Sequence, residues 1–359
     1  MKLGVLGGGQ LARMLALAAY PLGIDILCYE SVPDTCANQV AKVTQGDYGD
    51  EAALKVFAQS VTCVTLETEN LPLATAQAVA KYGKLLPNVT TLQFTQDRLL
   101  EKELLQSLDI PTAKFYQVNS HQDLQAAVAK FNLPGILKTR RSGYDGKGQV
   151  MLRKTEDIDQ ALTELQGQDL IYESFVPFDY EVSLICVRSQ QGDILFYPLT
   201  RNEHREGILR VSQAPFADQN LQQQAEQYAV RLLERFSYVG IMAIEFFVLG
   251  GQLIANEIAP RVHNSGHWTI EGAVTSQFEN HVRALAGLPL GSTQARGYSA
   301  MVNFIGTQPD EAKVMAIAGA HYHTYGKSAR PGRKLGHVTL NAASEALLLE
   351  NLEQVLKIS

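Results

Sequence analysis

The sequence predicts a chain of α/β and α+β type, with an N-terminal doubly wound domain, a small lobe built around a glycine loop and a larger, mostly antiparallel C-terminal lobe. Three observations carry this. Short apolar runs alternate with helical patterns at the start of the chain; from Gln96 the pattern changes to a helix and then strands around a run of glycines; from Glu181 strand patterns follow one another with few helices between them. At 359 residues the chain is long enough for two or three packed units.

In order, Lys2 to Leu6, Asp25 to Tyr29 and Val61 to Leu66 read as strands, with helices around Gln10 to Tyr20, Asp50 to Ser60 and Leu73 to Lys81. This alternation predicts a Rossmann-like domain over 1–95. The small lobe, 96–172, takes a helix from Gln96 to Leu108, strands near Ile136 to Lys138, Gln149 to Leu152 and Leu170 to Glu173, and a helix at Thr155 to Leu165. In the large lobe, 173–290, Glu181 to Val187, Ile194 to Tyr197, Leu209 to Gln213, Gly240 to Val248 and Leu253 to Ile258 read as one sheet, with a long helix from Asn220 to Phe236. The extension, 291–359, adds strands from Ser299 and a closing helix, Ser344 to Leu356, expected to pack on the large lobe. There is no internal repeat.

With 46% apolar and 19% charged residues the composition is globular, and no apolar run is long and uninterrupted enough to span a bilayer. After Met1-Lys2 the run Leu3 to Leu6 gives way to glycines, unlike a secretory leader, so a cytoplasmic location is expected. Cys28, Cys36, Cys63 and Cys186 form no C-x-x-C pair and read as reduced core residues. A net charge of −6 argues against nucleic acid as a partner and leaves room for a local basic pocket that takes a small anion.

Gly7-Gly8-Gly9-Gln10-Leu11-Ala12 follows a strand, opens a helix and has Glu30 at the end of the next strand. That is the dinucleotide-binding fingerprint, but its backbone N–H groups and helix dipole would suit any phosphate. A second glycine loop decides against a dinucleotide. Gly143-Tyr144-Asp145-Gly146-Lys147-Gly148-Gln149 lies between two strands, with Lys138 on the first. Such a hairpin can fold over a polyphosphate whose charge fixed cations meet. It is no Walker loop. Further on, Tyr172-Glu173-Ser174-Phe175-Val176 ends a strand before Glu181, as suits a hinge that pairs with an adenine edge while a carboxylate holds ribose hydroxyls.

Glu245 and Glu257 flank an apparent hairpin. A two-residue turn at Gly250-Gly251 would pair Glu245 with Asn256, whereas a three-residue loop, Gly250-Gly251-Gln252, would place it opposite Glu257. Opposed like charges in apolar strands need a cation between them, and hard oxygen ligands beside a polyphosphate suit Mg²⁺.

Together, Lys138, the Gly143 to Gln149 loop, Glu173 to Val176, and Glu245 with Asn256-Glu257 resemble the ATP-grasp superfamily, in which two lobes clasp ATP; the resemblance covers nearly the whole chain. More narrowly, the opening Gly-Gly-Gly-Gln-Leu, Gln96-Asp97-Arg98, the second glycine loop, Asn256 to Thr269, and Arg330 to Lys334 with Gly336-His337 look like the 5-(carboxyamino)imidazole ribonucleotide synthase family. Ala12 stands where that family usually has glycine, and Lys147 where arginine is frequent; neither change removes a required donor.

What the resemblance implies is an ATP-grasp fold and a carbon–nitrogen ligase of purine biosynthesis. ATP, bicarbonate and 5-aminoimidazole ribonucleotide would give, through carboxyphosphate, the carbamate of the ribonucleotide's amine with ADP and phosphate. ATP and Mg²⁺ are the implied cofactors, small molecules the partners, and a homodimer the expected state. By the same resemblance Arg98 and Lys138 would meet the ATP phosphates under the loop Gly143, Tyr144, Asp145, Gly146, Lys147, Gly148 and Gln149. Glu173, Ser174, Phe175, Val176 and Glu181 would hold adenosine, with His204 and Asn256 in the nucleotide pocket and Glu245 and Glu257 on Mg²⁺. Arg261, His263 and Asn264 would orient bicarbonate and its phosphorylated form. Tyr144 and Asp145 would also touch the imidazole and its amine. Lys327, Arg333 and Lys334, with Gly8, Gly9 and Gln10, would bind the ribonucleotide phosphate. Glu67 ends a strand where an open α/β sheet binds ligand.

Three rivals differ in what they would bind. A formyl-using transformylase or a biotin carboxylase would share the nucleotide site and differ in acceptor, a nicotinamide oxidoreductase would use the N-terminal turn for a dinucleotide, and a noncatalytic module would bind nucleotide alone.

Overall fold

The apolar run after Lys2 becomes an inner strand, β1 (Lys2–Leu6), of a parallel four-stranded sheet in the computed structural model, which describes residues 1–143 and 146–358. It lies between β2 (Asp25–Glu30) and β4 (Cys63–Leu66), and β3 (Lys42–Gln45) closes the far edge beside β2. Leu3 and Val5 face α1 (Gln10–Ala19), while Leu6 faces α2 (Glu51–Gln59) and α3 (Leu73–Tyr82), so both faces are covered. Asp50 caps α2 by accepting from the amides of Ala52 and Ala53.

Two capped helices lead onward, α4 (Val89–Thr95) behind Asn88 and α5 (Arg98–Ser107) behind Asp97. In the small lobe, β5 (Phe115–Val118), β6 (Gly135–Thr139), β7 (Gln149–Leu152) and β8 (Leu170–Ser174) form an antiparallel sheet in the order β5-β8-β6-β7. Behind it pack α6 (His121–Phe131) and α7 (Asp157–Glu164). The second glycine loop joins β6 to β7.

Among the described residues the third sheet has nine strands. These are β9 (Tyr180–Arg188), β10 (Ile194–Phe196), β11 (Thr200–Arg205), β12 (Ile208–Ala214), β13 (Gly240–Leu249), β14 (Gln252–Ala259), β15 (Tyr298–Ile305), β16 (Ala320–Thr324) and β17 (Lys334–Ala342). The order is β14-β13-β9-β11-β12-β15-β17-β16, with β10 also on β9, and the pairings are antiparallel. Helix α8 (Gln219–Arg235) seals one face through Leu221, Ala225, Leu232 and Leu233 against Val182, Leu184, Ile244 and Phe246. The other face carries α9 (Thr269–Gly272) and α10 (Gln277–Ala286), and α10 packs on α1, so the first and third sheets share one core. Helices α11 (Glu311–Met315) and α12 (Glu345–Ile358) cover the C-terminal strands.

The β13–β14 hairpin resolves the register left open by the sequence, by a route it did not contain. The turn is the two-residue one: Leu249 pairs with Gln252, and Gly250 and Gly251 take φ of 56° and 75°, as a type I′ turn requires. That turn alone would pair Glu245 with Asn256. A bulge at Asn256 intervenes, so that Phe246 pairs with Ala255 and Glu245 with Glu257. The bulge also switches faces: Leu253 and Ala255 point into the α8 core, and with strict alternation Glu257 would follow them. Instead Ile258 enters that core and Glu257 turns to the opposite face.

Candidate active site

Where the three sheets meet, a cleft of about 500 Å³ draws its wall from all of them. The N-terminal domain supplies Gln10, Glu67 and Glu69, and the small lobe Arg98, Lys138, Gly143, Gly146, Lys147 and Gln149. Strand β8 of the small lobe adds Glu173, and from the large lobe and the extension come Glu181, His204, Glu245, Asn256, Glu257, Arg261, His263, Asn264 and Lys334. Of the other residues expected from sequence, Gly8, Gly9, Gly148, Ser174, Phe175, Val176, Lys327 and Arg333 lie outside this wall. Tyr144 and Asp145 lie outside the described residues.

On the small-lobe side of the cleft, Lys138 on β6 places Nζ 2.9 Å from Glu173 Oε2 on the adjacent strand β8. Lys102, almost wholly buried on α5, stands 3.5 Å from the same oxygen. Burial alone would raise the Glu173 carboxyl, but the two lysines hold it at about 2. Glu173 Oε1 is buried without a hydrogen-bond partner among the described residues, an acceptor left open. Arg98 donates to the carbonyls of Thr139 at 3.0 Å and Gly143 at 3.2 Å, and so fixes the root of the glycine loop. Asp97 beside it takes both Arg140 and Arg141.

Glu245 and Glu257 stand opposed on the cleft face. Burial, then the neighbouring Glu257 charge, raises the Glu245 carboxyl. His263 Nε2 lies 3.3 Å from Glu245 Oε1. The Ser265 amide points at His263 Nδ1, which leaves the ring proton on Nε2 toward the carboxylate. Burial holds this imidazole well below its ordinary value, so it is neutral. On β11, burial would lower the His204 imidazole, but its hydrogen bond to Glu181 at 2.9 Å and the charges of Glu245 and Glu257 raise it. Among the described residues no group of three or more His, Cys, Asp or Glu side chains converges as a metal cage. Two carboxylates suit a Mg²⁺ ion whose remaining ligands are phosphate oxygens and water.

Arg261 presents its fork to Glu69, Nη2 to Oε1 at 2.8 Å and Nε to Oε2. Asn264 and Asn303 exchange hydrogen bonds of 2.7 and 3.1 Å.

The N-terminal turn explains why its fingerprint misleads. Glu30, which in a dinucleotide enzyme would take a ribose, accepts from the Gly8 amide at 3.0 Å. Glu67 accepts from the amides of Gly9 and Leu11. The chain's own carboxylates therefore fill these donors of the α1 terminus. Gln10 instead points to Lys327, whose Nζ donates to its Oε1 at 2.6 Å.

Sequence reasoning missed Glu69, Glu101 and Lys102. Glu101 and Lys102 are fully buried on α5, and burial with the nearby Glu257 charge pushes the Glu101 carboxyl up to about 8. The signal was present: both residues lie three or four positions before Leu105, on the helix face where apolar side chains belong.

Comparison with known proteins finds relatives along nearly the whole chain. Family models match in three places: the Ribonucleotide synthetase preATP-grasp domain over residues 1–96, the ATP-grasp domain over 103–278 and the Phosphoribosylaminoimidazole carboxylase C-terminal domain over 299–351. The chain is 50% identical over 355 residues to the N5-carboxyaminoimidazole ribonucleotide synthase of Pseudomonas aeruginosa, covering 99% of this chain and 98% of that one. It superposes on the crystal structure of N5-carboxyaminoimidazole ribonucleotide synthetase from Thermus thermophilus with a TM-score of 0.95 at 50% identity, covering 99% and 98% of the two chains. With the Aspergillus clavatus N5-carboxyaminoimidazole synthase, solved in complex with ADP and 5-aminoimidazole ribonucleotide, the TM-score is 0.90 at 30% identity, covering 99% of each chain.

Proposed function

This chain belongs to the N5-carboxyaminoimidazole ribonucleotide synthases, a family of ATP-grasp ligases, and from that premise we infer that it carboxylates 5-aminoimidazole ribonucleotide with ATP and bicarbonate in purine biosynthesis. One observation carries the reading at the level of residues. A single cleft gathers the cations Arg98 and Lys138, the opposed carboxylates Glu245 and Glu257, and the Arg261-to-Asn264 segment. Release of ADP from ATP, measured with and without bicarbonate and aminoimidazole ribonucleotide, tests it: full release needs both, and release independent of the ribonucleotide would contradict the acceptor.

Bicarbonate is a poor electrophile, so its oxygen first attacks the γ-phosphorus of ATP, giving carboxyphosphate and ADP. Carboxyphosphate separates into phosphate and carbon dioxide beside the ribonucleotide amine. The amine lone pair adds to the carbon, one N–H proton leaves, and the carbamate results. The protein's work is positioning, charge neutralisation and exclusion of water. Lys138 and Arg98 face the phosphates, and the loop from Gly143 to Gln149 covers them. The backbone of the hinge from Glu173 to Val176 fits the adenine edge, and Glu181, aligned by His204, fits the ribose hydroxyls. Glu245 and Glu257 would hold Mg²⁺, which when bound offsets charge on the transferring phosphoryl group. Arg261, kept in place by Glu69, has donor capacity left on Nη1 for bicarbonate, with His263 and Asn264 beside it. Lys327, Arg333 and Lys334 form the cationic end for the ribonucleotide phosphate, next to Gln10.

The working division is 1–95, 96–172, 173–290 and 291–359. The first boundary is supported by the parallel sheet, which lies within 1–95; the second falls inside β8 (Leu170–Ser174), whose pairing in the small-lobe sheet moves it past Ser174, and the strands of the extension continue the large sheet. No helix among the described residues is long and apolar enough to cross a membrane. A cytoplasmic setting is supported by the free, buried thiols of Cys28, Cys63 and Cys186. A homodimer is supported by the general prevalence of twofold assemblies, and sedimentation tests it.

A further inference from the structure

Two buried ionisable groups on α5 have no direct part in the chemistry above. Glu101 and Lys102 expose 3% and 1% of their surface, and burying such groups costs several kcal/mol unless each is paired and hydrogen-bonded. Leucine at both positions would complete the apolar face of the helix. Their partners show what they do instead.

Strand β14 is the outer strand of the nine-stranded sheet, so the polar groups on its open side have no strand to bond among the described residues. Three groups on that side are met from outside the sheet. The Ala255 amide donates to the Pro111 carbonyl at 2.7 Å, the Asn256 carbonyl accepts from Lys102 Nζ at 3.4 Å, and the Ile258 amide donates to Glu101 Oε1 at 2.8 Å. The last two bracket Glu257. They fall where the bulge interrupts the ladder and where the strand would otherwise be free to slip back to plain alternation, with Glu257 turned toward the α8 core.

We propose that Glu101 and Lys102 are positioning residues for the metal strand: they hold the bulged segment Asn256–Ile258 so that the Glu257 carboxylate faces Glu245. Through Glu173, which lies 3.5 Å from Lys102 and 2.9 Å from Lys138, the same lysine links that strand to the cation facing the ATP phosphates. The phosphate grip and the metal pair are thereby set by one buried junction. Glu101 acts through a hydrogen bond to the backbone and is not itself a ligand. The proposal rests on reading Glu245 and Glu257 as the Mg²⁺ pair.

The experiment compares Glu101→Gln, Glu101→Met, Lys102→Met and Glu257→Gln in the full chain. Two quantities are followed: the Mg²⁺ concentration that half-saturates ADP release, and hydrogen exchange at the Ile258 amide without metal or nucleotide. Glutamine keeps the acceptor, so Glu101→Gln should need Mg²⁺ within about threefold of the parent, whereas Glu101→Met should need about tenfold more, the usual scale for a lost supporting contact. In Glu101→Met the Ile258 amide should lose protection, and high Mg²⁺ should restore turnover. Lys102→Met should raise the Mg²⁺ requirement and the KM for ATP together. If Glu101→Gln shifts the requirement as far as Glu101→Met, the charge and not the hydrogen bond matters, and the proposal fails. It fails equally if Glu101→Met leaves the requirement or the Ile258 exchange unchanged, or if Lys102→Met alters only the KM for ATP. Should Glu101→Met not fold, the Lys102→Met result decides alone. Glu257→Gln separates the two levels: if it leaves the Mg²⁺ requirement unchanged, the reading of the metal pair is what has failed.

Discussion

Glu245 and Glu257 face each other across β13 and β14 because Asn256, one residue before Glu257, bulges out of the ladder. Two carboxylates in that position, Glu245 half-buried and Glu257 exposed to the cleft, repel each other, and a cation between them would relieve the repulsion. Glu257→Gln should therefore separate stability from function. Turnover should fall by roughly a hundredfold or more, as expected when a charged ligand leaves a metal that assists phosphoryl transfer. The melting temperature of the metal-free protein should hold or rise, since one of two opposed charges is gone. Steady-state rates and thermal melts with and without Mg²⁺ check both; near-normal turnover at ordinary Mg²⁺ would remove the pair from the mechanism.

The N-terminal turn is expected to serve the ribonucleotide and not ATP. A Cβ at Gly9 would come within 3.0 Å of the Glu67 carboxyl carbon, and closer still to its Oε1. Gly9→Val should push Glu67 off the amides it accepts from and disturb Gln10 beside Lys327. Affinity for aminoimidazole ribonucleotide should drop about tenfold, or 1.4 kcal/mol, with the KM for ATP nearly unchanged. Calorimetry with each ligand separately distinguishes the two, and a matching loss for ATP would contradict the assignment.

Gly148 has a φ of +71°, and an added Cβ would meet Thr139 Oγ1 at 2.6 Å on the neighbouring strand. Gly148→Ala combines backbone strain of about 1 to 3 kcal/mol with that clash. It should slow carboxylation and raise the ADP formed per carbamate made, because a poorly seated loop admits water to carboxyphosphate. In the parent protein, exchange across residues 146 to 149 should slow when a nonhydrolysable ATP analogue binds; equal protection with and without it would show that the loop does not cover nucleotide.

His281 gives the chain an acid limb unrelated to catalysis. The Ile241 amide donates to its Nδ1 at 2.9 Å, so the ring proton sits on Nε2 toward Thr65 Oγ1 at 3.0 Å, and burial pushes the imidazole down to about 4. The unfolded chain takes up this proton near 6.5, the ordinary histidine value, before the folded chain does. Stability is therefore full above pH 6.5, falls as the pH drops toward 4, and stops falling below it, for a total of about 3 kcal/mol. Denaturant melts from pH 7.5 to 4 should show a shallower acid limb in His281→Gln, which keeps both hydrogen bonds without titrating. Parallel limbs in the two proteins would assign the loss elsewhere.

How much of this was legible depended on whether burial coincided with hydropathy. Strands β1, β9 and β13 announce themselves because their inward residues are aliphatic. Strand β11 does not: its inward residues are Thr200 and Asn202, and Asn202 lies in a chain of hydrogen bonds with Ser183 and Ser212 that no hydropathy pattern reports. Strands β3 and β5 are four residues each, β3 mostly exposed and β5 with only Val118 buried, and α6, with β5, falls in a stretch where the patterning indicated nothing. At the site, residues within motifs were visible, whereas Glu69, Glu101 and Lys102 matter only through contacts made far along the chain. The opposition of Glu245 to Glu257 was one of two alternatives on paper, and the bulge that selects it has no signature in the hairpin turn.

The pairing of β12 with β15 bears on how this protein can be taken apart. A family model that ends at residue 278 and another that begins at 299 suggest a natural place to cut. Yet β15 joins β12 through the register Val211–Val302 to Ala214–Ser299, inside the same sheet. Expressing the chain without its last sixty or so residues would strip β15, β17 and β16 from that sheet and lay bare the backbone of β12, a raw edge of the kind that recruits other chains. Such a fragment should aggregate as it is made. Two fragments split between α10 and β15 should instead rescue each other when co-expressed, with the missing strands zipping onto β12 from a separate polypeptide.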